Sequence, residues 1–340
     1  MIKNTLEKLS KNQNLTAKEA ATFIELIACD EVTPPQIKDF ILGITAKNCT
    51  VEEFTGIVLA LRKFAKKVDI KNAVCSCGTG SDGSGSFNIS TTAAILAASE
   101  GSFPVAKHAN CAISSNCGSS NVLEELGIKL AQTPEEAQEQ AQNKNITFLH
   151  SPFFNTAINK INPVRRELGI RTVFNFTGPL INPAFPVAQA FGASSVSMAE
   201  KMIEVLKNTG SKKVMIFTGI NPKIDEISIC GETKIFSLNN GIIEKFSIFP
   251  EDFGIKRVPL DALKGCTASK NAEITEGILS NKIRDAKFDA VALNAAAVFW
   301  AANRVQKLED GLSLAYNFLE SQTAYKKLKE LQCQKIKIHL

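Results

Sequence analysis

Histidine is scarce in this chain, with three among 340 residues. Cys75-Ser76-Cys77 resembles half of a metal site, but no second pair with ligand spacing follows, so a zinc site is not expected. The nine cysteines are scattered along the chain without a paired framework. This usage is typical of reduced thiols, and we expect a cytoplasmic protein.

Long apolar runs and a strong charge of one sign are missing as well. The first residues lack the apolar core of a signal peptide, and the most apolar late stretch, residues 291–302, is too short to span a membrane. The net charge of +5 is compatible with a phosphate-rich ligand but far below that of a dedicated nucleic-acid binder. We therefore expect neither a membrane nor a nucleic acid as partner.

Three helix starts of one design occur in the first part of the chain. Each has a threonine hydroxyl that can accept from a backbone N–H, and a Glu or Gln three residues later that can reach back. Apolar residues follow at helical spacing. The pattern predicts a small helical domain over residues 1–70, completed by part of 160–190. The starts are Thr16-Ala17-Lys18-Glu19, Thr33-Pro34-Pro35-Gln36 and Thr50-Val51-Glu52-Glu53.

From Ala73 onward, short apolar runs alternate with helical segments, which predicts an α/β domain over residues 71–340. Asn239-Asn240-Gly241 between two looser runs indicates a hairpin. Further strands are predicted at 73–77, 103–107, 146–150, 214–220 and 335–340. Helices are predicted at 90–99, 121–126 and 289–305, and from Thr133 and Ser197.

The loop at residues 78–86 is rich in glycine and lies between a predicted strand and a predicted helix start. Glycine allows a tight turn in which successive N–H groups converge on phosphate oxygens, and the next helix N-terminus adds partial positive charge. Ser90 and Thr91 lie where their hydroxyls can contact a phosphate or its metal. The spacing fits neither a P-loop nor a dinucleotide fingerprint. A flexible loop before a capped helix is the competing interpretation.

A second polar segment begins at Lys107, at the carboxyl end of a predicted strand, where an amine can meet a phosphate as a point charge. Ser114, Ser115 and Ser119 follow and offer small donors. The alternative is a polar loop without a ligand. His108 is interpreted as a structural histidine with no proton-transfer role.

Asp225-Glu226 follows another apolar run. Adjacent carboxylates suit Mg²⁺, which would also carry a diphosphate, whereas the competing interpretation is an exposed acidic turn. Arg165, Arg166 and Arg171 can hold carboxylates or phosphates as planar forks, or can form surface ion pairs. None of these segments is decisive alone.

Taken together and in order, the segments resemble the anthranilate phosphoribosyltransferase family over nearly the whole chain. The resemblance implies a small helical domain beside a larger α/β domain with a central mixed sheet, an architecture shared with nucleoside phosphorylases, and usually a homodimer. It rests on Gly78-Thr79-Gly80-Ser81-Asp82, Phe87-Asn88-Ile89-Ser90-Thr91, Lys107-His108, Gly118-Ser119, Pro163-Val164-Arg165-Arg166-Glu167-Leu168-Gly169, Asn175-Phe176-Thr177-Gly178-Pro179-Leu180-Ile181-Asn182-Pro183 and Asp225-Glu226.

The implied reaction is Mg²⁺-dependent transfer of the phosphoribosyl group of phosphoribosyl diphosphate to the amine of anthranilate, in tryptophan biosynthesis. The resemblance places Ser90, Asp225 and Glu226 at the metal, and Gly78, Asn110 and Arg165 at anthranilate, with Arg165 on its carboxylate. No residue is assigned as acid, base or nucleophile. The implied contacts to phosphoribosyl diphosphate are Gly78, Ser81, Asp82, Ser86, Asn88, Ile89, Ser90, Thr91, Lys107, His108, Asn110, Ser114, Ser115 and Ser119.

Some positions depart from the family's pattern. Ser81 stands for the second glycine of Gly-Gly-Asp, and Ala109 and Cys111 change the usual His-Gly-Asn-Arg. Asn121 replaces an aspartate and Asn155 a histidine. The departures at Cys111 and Asn155 concern mainly the acceptor side and the rim of the pocket.

Three other functions stay open at this point. The same fold can act on another aromatic amine, or as a pyrimidine-nucleoside phosphorylase, whose longer signature is not seen around the glycine loop. A non-catalytic relative can also bind nucleotide or nucleic acid in the retained pocket. It would bind oligonucleotides in a salt-sensitive manner and would not consume phosphoribosyl diphosphate.

Overall fold

The computed structural model describes residues 1–80, 82–109 and 118–332. Several features predicted from the sequence lie outside these ranges. They are Ser81, Asn110, Cys111, Ser114, Ser115 and the strand at 335–340.

The chain opens with four helices, α1 (Ile2–Ser10), α2 (Ala17–Ala28), α3 (Pro34–Ala46) and α4 (Val51–Lys63). Thr16, Thr33 and Thr50 are the N-cap residues of α2, α3 and α4, which confirms the three predicted starts. At α4, for example, Glu53 N donates to Thr50 Oγ1 at 3.2 Å and Thr50 N donates to Glu53 Oε2 at 2.7 Å. Local capping chemistry therefore sets where these helices begin.

Strands and helices alternate beyond the helical segment, as predicted. The strands are β1 (Val74–Gly78), β2 (Val105–Ala109), β3 (Ile146–His150), β4 (Ala188–Gly192), β5 (Lys213–Gly219), β6 (Thr233–Asn239) and β7 (Ile242–Ile248). The helices are α5 (Ile89–Ala98), α6 (Ser119–Glu125), α7 (Pro134–Lys144), α8 (Thr156–Leu168), α9 (Val196–Asn208), α10 (Ala268–Leu279), α11 (Ala286–Ala301), α12 (Leu308–Glu320) and α13 (Thr323–Leu331).

Two sequence predictions in this region were wrong. Helix α9 begins at Val196 with Ser195 as its N-cap, so Ser197 lies inside the helix rather than at its cap. Strand β4 was not predicted, because Ala-Gln-Ala-Phe-Gly contains no β-branched residue and has little preference for a strand. Pairing with a neighbour on each side, β1 and β5, makes this segment a strand.

The described strands form one seven-stranded mixed sheet in the order β3-β2-β1-β4-β5-β6-β7. β1 to β5 run parallel, and β6 and β7 continue antiparallel. The chain moves outward from β1 to β3 and then returns to the other side of β1 with β4. Ligands of open α/β sheets bind at the carboxyl ends of strands where the order reverses in this way. Gly78 and Gly192 face each other there, at the ends of β1 and β4.

The hairpin at the antiparallel edge is confirmed. Asn240 and Gly241, between β6 and β7, have φ of 47° and 89°. Positive φ at both central residues is the requirement of a two-residue type I′ turn, which asparagine and glycine meet at low cost.

Apolar packing joins the sheet to the helices on both faces. On one face, α5 and α11 are almost entirely buried and pack against each other. On the other face, Phe40 and Phe54 of the helical segment share a core with Ile161 of α8 and Phe191 of β4. Helix α8 also contacts α2 and α3. Within the described ranges, no helix is both long and apolar enough to cross a bilayer.

Candidate active site

The glycine loop and the acidic pair meet at the reversal point of the sheet, although Gly80 and Asp225 are 145 positions apart in the chain. Gly80 N donates to Asp225 Oδ2 at 2.6 Å, and Asp225 N donates to Asp82 Oδ2 at 3.0 Å. Ser84 N donates to the other oxygen of Asp82 at 3.0 Å. Asp82 and Glu226 therefore line the same cleft.

Glycine allows the acidic segment to lie directly on the strand ends. A Cβ on Gly192 would lie 1.5 Å from the Asp225 carbonyl oxygen, and one on Gly78 would lie 2.8 Å from Asp225 Oδ2. From the helix side, Asn294 of α11 clamps the residue after Glu226: its Oδ1 accepts from Ile227 N at 2.9 Å and its Nδ2 donates to Ile227 O at 3.0 Å. The backbone position of the acidic pair is thus held from both sides.

The acidic pair is buried with too little positive charge around it. Burial, and next the negative charge of Asp82, raise the pKa of Asp225 well above its usual value. Burial also raises the pKa of Glu226 to about 8, although Lys107 opposes this shift. Glu226 Oε1 accepts from Ser90 N at 3.1 Å, whereas Oε2 is buried and has no hydrogen-bond partner among the described residues. Such a cluster suits a bound cation.

The oxygen atoms of this cluster suit Mg²⁺ that binds together with a phosphate. No group of three or more His, Cys, Asp or Glu in the described ranges is placed to hold a metal by itself. Mg²⁺ commonly takes only one or two carboxylates from the protein and the remaining oxygens from phosphate and water. The unpartnered oxygen of Glu226 and the nearby hydroxyl of Ser90 fit that arrangement.

Lys107 reaches the cleft from β2. It is 2% exposed, and its Nζ donates to Ser76 O at 3.0 Å and to Ser90 Oγ at 3.2 Å. Burial lowers the pKa of its amine, and Cys77 and Glu226 partly offset this effect. Lys107 thus places a positive charge between the end of β1 and the start of α5, where a phosphate can complete its hydrogen bonds.

Most of the predicted site residues in the described ranges line this one cleft. Ile89 is the exception, because its side chain is 1% exposed and lies in the apolar core. Only its backbone can make the predicted contact with phosphoribosyl diphosphate. Ser81, Asn110, Ser114 and Ser115 lie outside the described residues. The residues brought together are Gly78, Asp82, Ser86, Asn88, Ser90, Thr91, Lys107, His108, Ser119, Arg165, Asp225 and Glu226.

The neutral imidazole of His108 and the guanidinium of Arg165 also line the cleft. His108 Nδ1 lies 3.1 Å from Gly178 O, and because a carbonyl can only accept, Nδ1 carries the proton. Nε2 is then an acceptor; it is buried without a partner in the described part of the chain, and burial lowers the pKa of the ring. Arg165 donates through Nη1 to Asn162 Oδ1 at 2.9 Å, while its Nε has no described partner. Phe174 lines the same cleft.

Comparison with known proteins decides the family. Residues 70–325 match the model of the glycosyl transferase family α/β domain, and residues 3–65 match the helical bundle domain of the same family. Anthranilate phosphoribosyltransferase of Desulfitobacterium hafniense (strain DSM 10664 / DCB-2) is 40% identical over 97% of this chain and 98% of its own. That of Symbiobacterium thermophilum is 38% identical over 97% of both.

The chain belongs to the anthranilate phosphoribosyltransferase family. The crystal structure of the Thermus thermophilus member has a TM-score of 0.89 to this structure at 33% identity, with 96% of this chain and 98% of that chain covered. A Saccharomyces cerevisiae member in complex with PRPP and Mg has a TM-score of 0.87 at 23% identity, over 97% and 96% of the two chains, which shows a common fold. The predicted fold class and the predicted resemblance are therefore confirmed.

Two departures from the family's pattern have a structural explanation. Asn121 Oδ1 accepts from Gly118 N at 3.2 Å at the start of α6, a role that an aspartate would also perform. Asn155 was expected at the rim of the acceptor pocket, and it does not line the cleft. Its Oδ1 accepts from Ile158 N at 3.1 Å as the N-cap of α8, and its Nδ2 donates to Leu61 O at 2.8 Å.

Asn155→Ala is accordingly expected to affect stability rather than acceptor recognition. The change removes the cap of α8 and leaves the buried Leu61 carbonyl without its partner, at a cost of about 2–4 kcal/mol. Urea denaturation would show the loss, while the KM for the acceptor stays within about twofold. A large rise in that KM with unchanged stability would instead return Asn155 to the acceptor site.

Sequence analysis missed several residues that shape the cleft in this family member. Gly192, Asn162 and Asn294 had no local signal, because each acts through a contact with a distant segment or in a helix of ordinary composition. Arg171 was noted only as one of several arginines. Its Nη2 donates to Ser194 Oγ, which lies 3.1 Å from Thr79 Oγ1 and so ties the glycine loop to the end of β4.

Proposed function

We propose that this protein is an anthranilate phosphoribosyltransferase, which transfers the phosphoribosyl group of phosphoribosyl diphosphate to the amine of anthranilate. The observation that carries the proposal is the buried acidic pair held against the glycine loop, beside Lys107, at the reversal point of the sheet. The named activity of relatives at up to 40% identity over almost the full chain supports it.

One side of the cleft, formed by the glycine loop, Lys107 and the acidic pair and called the donor side, would bind the diphosphate of phosphoribosyl diphosphate with Mg²⁺. Gly78, Asp82 and Ser86 would contact the diphosphate and ribose from the glycine loop, and Lys107 would contact a phosphate. Asp225, Glu226 and Ser90 would hold Mg²⁺. Bound Mg²⁺ supplies charge neutralisation for the leaving diphosphate. The chain's own part is to fix the donor so that its anomeric carbon faces the acceptor, since positioning alone can supply a large share of the rate.

The acceptor side suits an aromatic amine with a carboxylate. The guanidinium of Arg165 would pair with the carboxylate, and Phe174 would contact the ring. The lone pair of His108 Nε2 can accept a hydrogen bond from the incoming amine and so orient it. An aromatic amine is already unprotonated and nucleophilic near neutral pH, so no covalent enzyme intermediate is needed.

The finer features of the proposal follow the family resemblance. We propose that the enzyme works as a cytoplasmic homodimer with a helical domain at residues 1–70, completed by part of 160–190, and an α/β domain at 71–340. The packing of α8 against α2 and α3 supports this division. The placement of Ser81, Asn110, Ser114 and Ser115 at the donor remains part of the proposal.

The deciding experiment is incubation of the purified protein with phosphoribosyl diphosphate and Mg²⁺, with and without anthranilate, while the fluorescence of anthranilate is followed. Loss of fluorescence that requires both substrates and Mg²⁺ is the expected result. If anthranilate persists while other aromatic amines are consumed, the acceptor assignment is wrong and the transferase assignment stands. If no amine is consumed, the function is wrong.

Arg165→Gln is expected to raise the KM for anthranilate by about 10- to 100-fold, because a charged hydrogen bond to a carboxylate is worth about 1.5–3 kcal/mol. The KM for phosphoribosyl diphosphate should change little. Steady-state kinetics with each substrate varied in turn would measure both. Arg166→Gln is the matched control, since Arg166 is exposed on the same helix and should leave both constants unchanged. Equal effects of the two substitutions would contradict the role of Arg165.

A further inference from the structure

Strand β1 carries two thiols that the proposed reaction does not use. Cys75 and Cys77 are two residues apart, so their side chains lie on the same face of the strand. Their Sγ atoms are 3.4 Å apart and the residues are 0% and 4% exposed. Cys77 lines the donor cleft, immediately before Gly78. The thiol pair is therefore buried and has one side towards the cleft.

The surroundings of the pair favour negative charge on the sulfur of Cys75 but not on that of Cys77. Asn182 Nδ2 lies 3.2 Å from Cys75 Sγ and also donates to Ala106 O at 2.8 Å, while Asn182 Oδ1 accepts from Ala184 N. These bonds fix the amide with a donor aimed at the sulfur. The hydrogen bond with Cys77 lowers the pKa of the Cys75 thiol, whereas the hydrogen bond with Cys75 and burial raise the pKa of the Cys77 thiol well above its usual value. The nearby ammonium of Lys107 favours the thiolate at both positions but does not outweigh these effects at Cys77.

A direct disulfide does not suit this geometry. Side chains two residues apart on a parallel strand repeat at about 6.6 Å, whereas the two Cβ atoms of a disulfide lie about 3.5–4.5 Å apart. Closing that gap would buckle β1, which is hydrogen-bonded to β2 and β4. A bridging ion avoids the problem: with bonds of about 2.3 Å at a tetrahedral angle, two thiolates lie about 3.8 Å apart, close to the separation already present.

We propose that Cys75 and Cys77 form a two-thiolate binding site for a soft, thiophilic divalent cation, whose remaining coordination positions face the donor cleft. Binding releases one proton from each thiol and requires no oxidant. Among the described residues no third His, Cys, Asp or Glu completes a ligand set, so water or a ligand in the cleft supplies the other positions. Because Gly78 follows directly, an occupied site competes with phosphoribosyl diphosphate; this last point rests on the proposed function.

The test is titration of the reduced full-length protein with Cd²⁺. Tight binding of one Cd²⁺ per chain, with an ultraviolet thiolate-to-cadmium band and release of two protons, is expected; no binding, or fewer than two protons released, overturns the site. Five of the seven other cysteines are first replaced by serine to remove background binding, and the buried Cys49 and Cys230 are kept. The replaced residues are Cys29, Cys111, Cys117, Cys266 and Cys333.

Variants of the pair separate this site from adventitious thiols. Cys77→Ser and Cys75→Ser should each weaken Cd²⁺ binding by at least about tenfold and abolish the two-proton release, whereas Cys230→Ser, at another buried thiol, should not. Unchanged binding in Cys77→Ser refutes the proposal. Circular dichroism checks that each variant is folded. If a variant is not folded, the number of protons released by the protein that keeps both Cys75 and Cys77 decides whether the site exists.

Competition distinguishes this inference from the proposed function. Added phosphoribosyl diphosphate with Mg²⁺ should weaken Cd²⁺ binding if the cleft binds that donor. Binding of Cd²⁺ to the pair without any competition would keep the thiol site and overturn the claim that its occupation blocks phosphoribosyl diphosphate, whereas the fluorescence assay with anthranilate tests the donor assignment separately.

Discussion

Glu226→Gln is expected to reduce turnover by about a thousandfold while the chain remains folded. The substitution keeps the shape of the side chain and its contact with Ser90 N but removes the negative charge that would hold Mg²⁺. Because burial raises the pKa of Glu226 to about 8, a neutral amide avoids the cost of burying the charge, and the melting temperature should stay constant or rise. Turnover at saturating substrate over a range of Mg²⁺ concentrations, together with a melting curve, measures both effects.

Glu251→Gln is the matched control, because Glu251 forms an exposed ion pair with Arg257 and neither residue lines the cleft. It should leave turnover unchanged. A near-normal rate for Glu226→Gln with unaltered dependence on Mg²⁺ would remove the metal assignment. A collapse in stability would show that the carboxylate has a structural role instead.

The second large loss of turnover is expected for Gly192→Ala, which adds a single methyl group at the end of β4. Its Cβ would lie 1.5 Å from the Asp225 carbonyl oxygen, a contact that cannot exist. The acidic segment must therefore move. A displacement of about 1 Å at the site can reduce turnover about a hundredfold, and such overpacking costs about 1–3 kcal/mol of stability. Kinetics and urea denaturation of the same preparation would measure the two effects.

Gly277→Ala provides the comparison for that substitution. Gly277 is also close to a neighbour, but the atom nearest to its added Cβ would be the end of the flexible Ile283 side chain, at 2.5 Å. Gly277 lies in α10, which contributes no residue to the lining of the cleft. It should retain activity because Ile283 can rotate away. If Gly192→Ala were as active as Gly277→Ala, the close approach of the acidic segment to β4 would not be required for function.

The acidic site illustrates a conflict between stability and function. Three carboxylates, Asp82, Asp225 and Glu226, converge in one cleft, and the neighbouring ammonium of Lys107 offsets the effect of burial on Glu226 only in part. The free protein is less stable for it, and a bound cation and its phosphate ligand would relieve the repulsion. Sites that bind charged ligands often keep such unfavourable arrangements, because the same groups make binding strong.

Local chemistry explains what could be predicted from the sequence. The helix starts at Thr16, Thr33 and Thr50 and the turn at Asn240-Gly241 depend on atoms within a few residues of one another, so the residue types are sufficient evidence. The order of the glycine loop, Lys107 and the acidic pair along the chain was enough to indicate the family. Apart from Ile89, the residues assigned to the site from that order, as far as the structure describes them, line one cleft.

The amino-acid sequence by itself determined the helix caps, the turn, the alternation of strands and helices and the motifs of the family, because each depends on neighbouring residues. Only the tertiary structure decided that β4 is a strand, that Asn155 caps α8 and does not line the cleft, and that Gly192 touches Asp225. It also decided that Glu226 is buried with a raised pKa and that two thiols lie side by side below the cleft. These properties come from contacts between distant segments, whose distances and burial no local pattern contains.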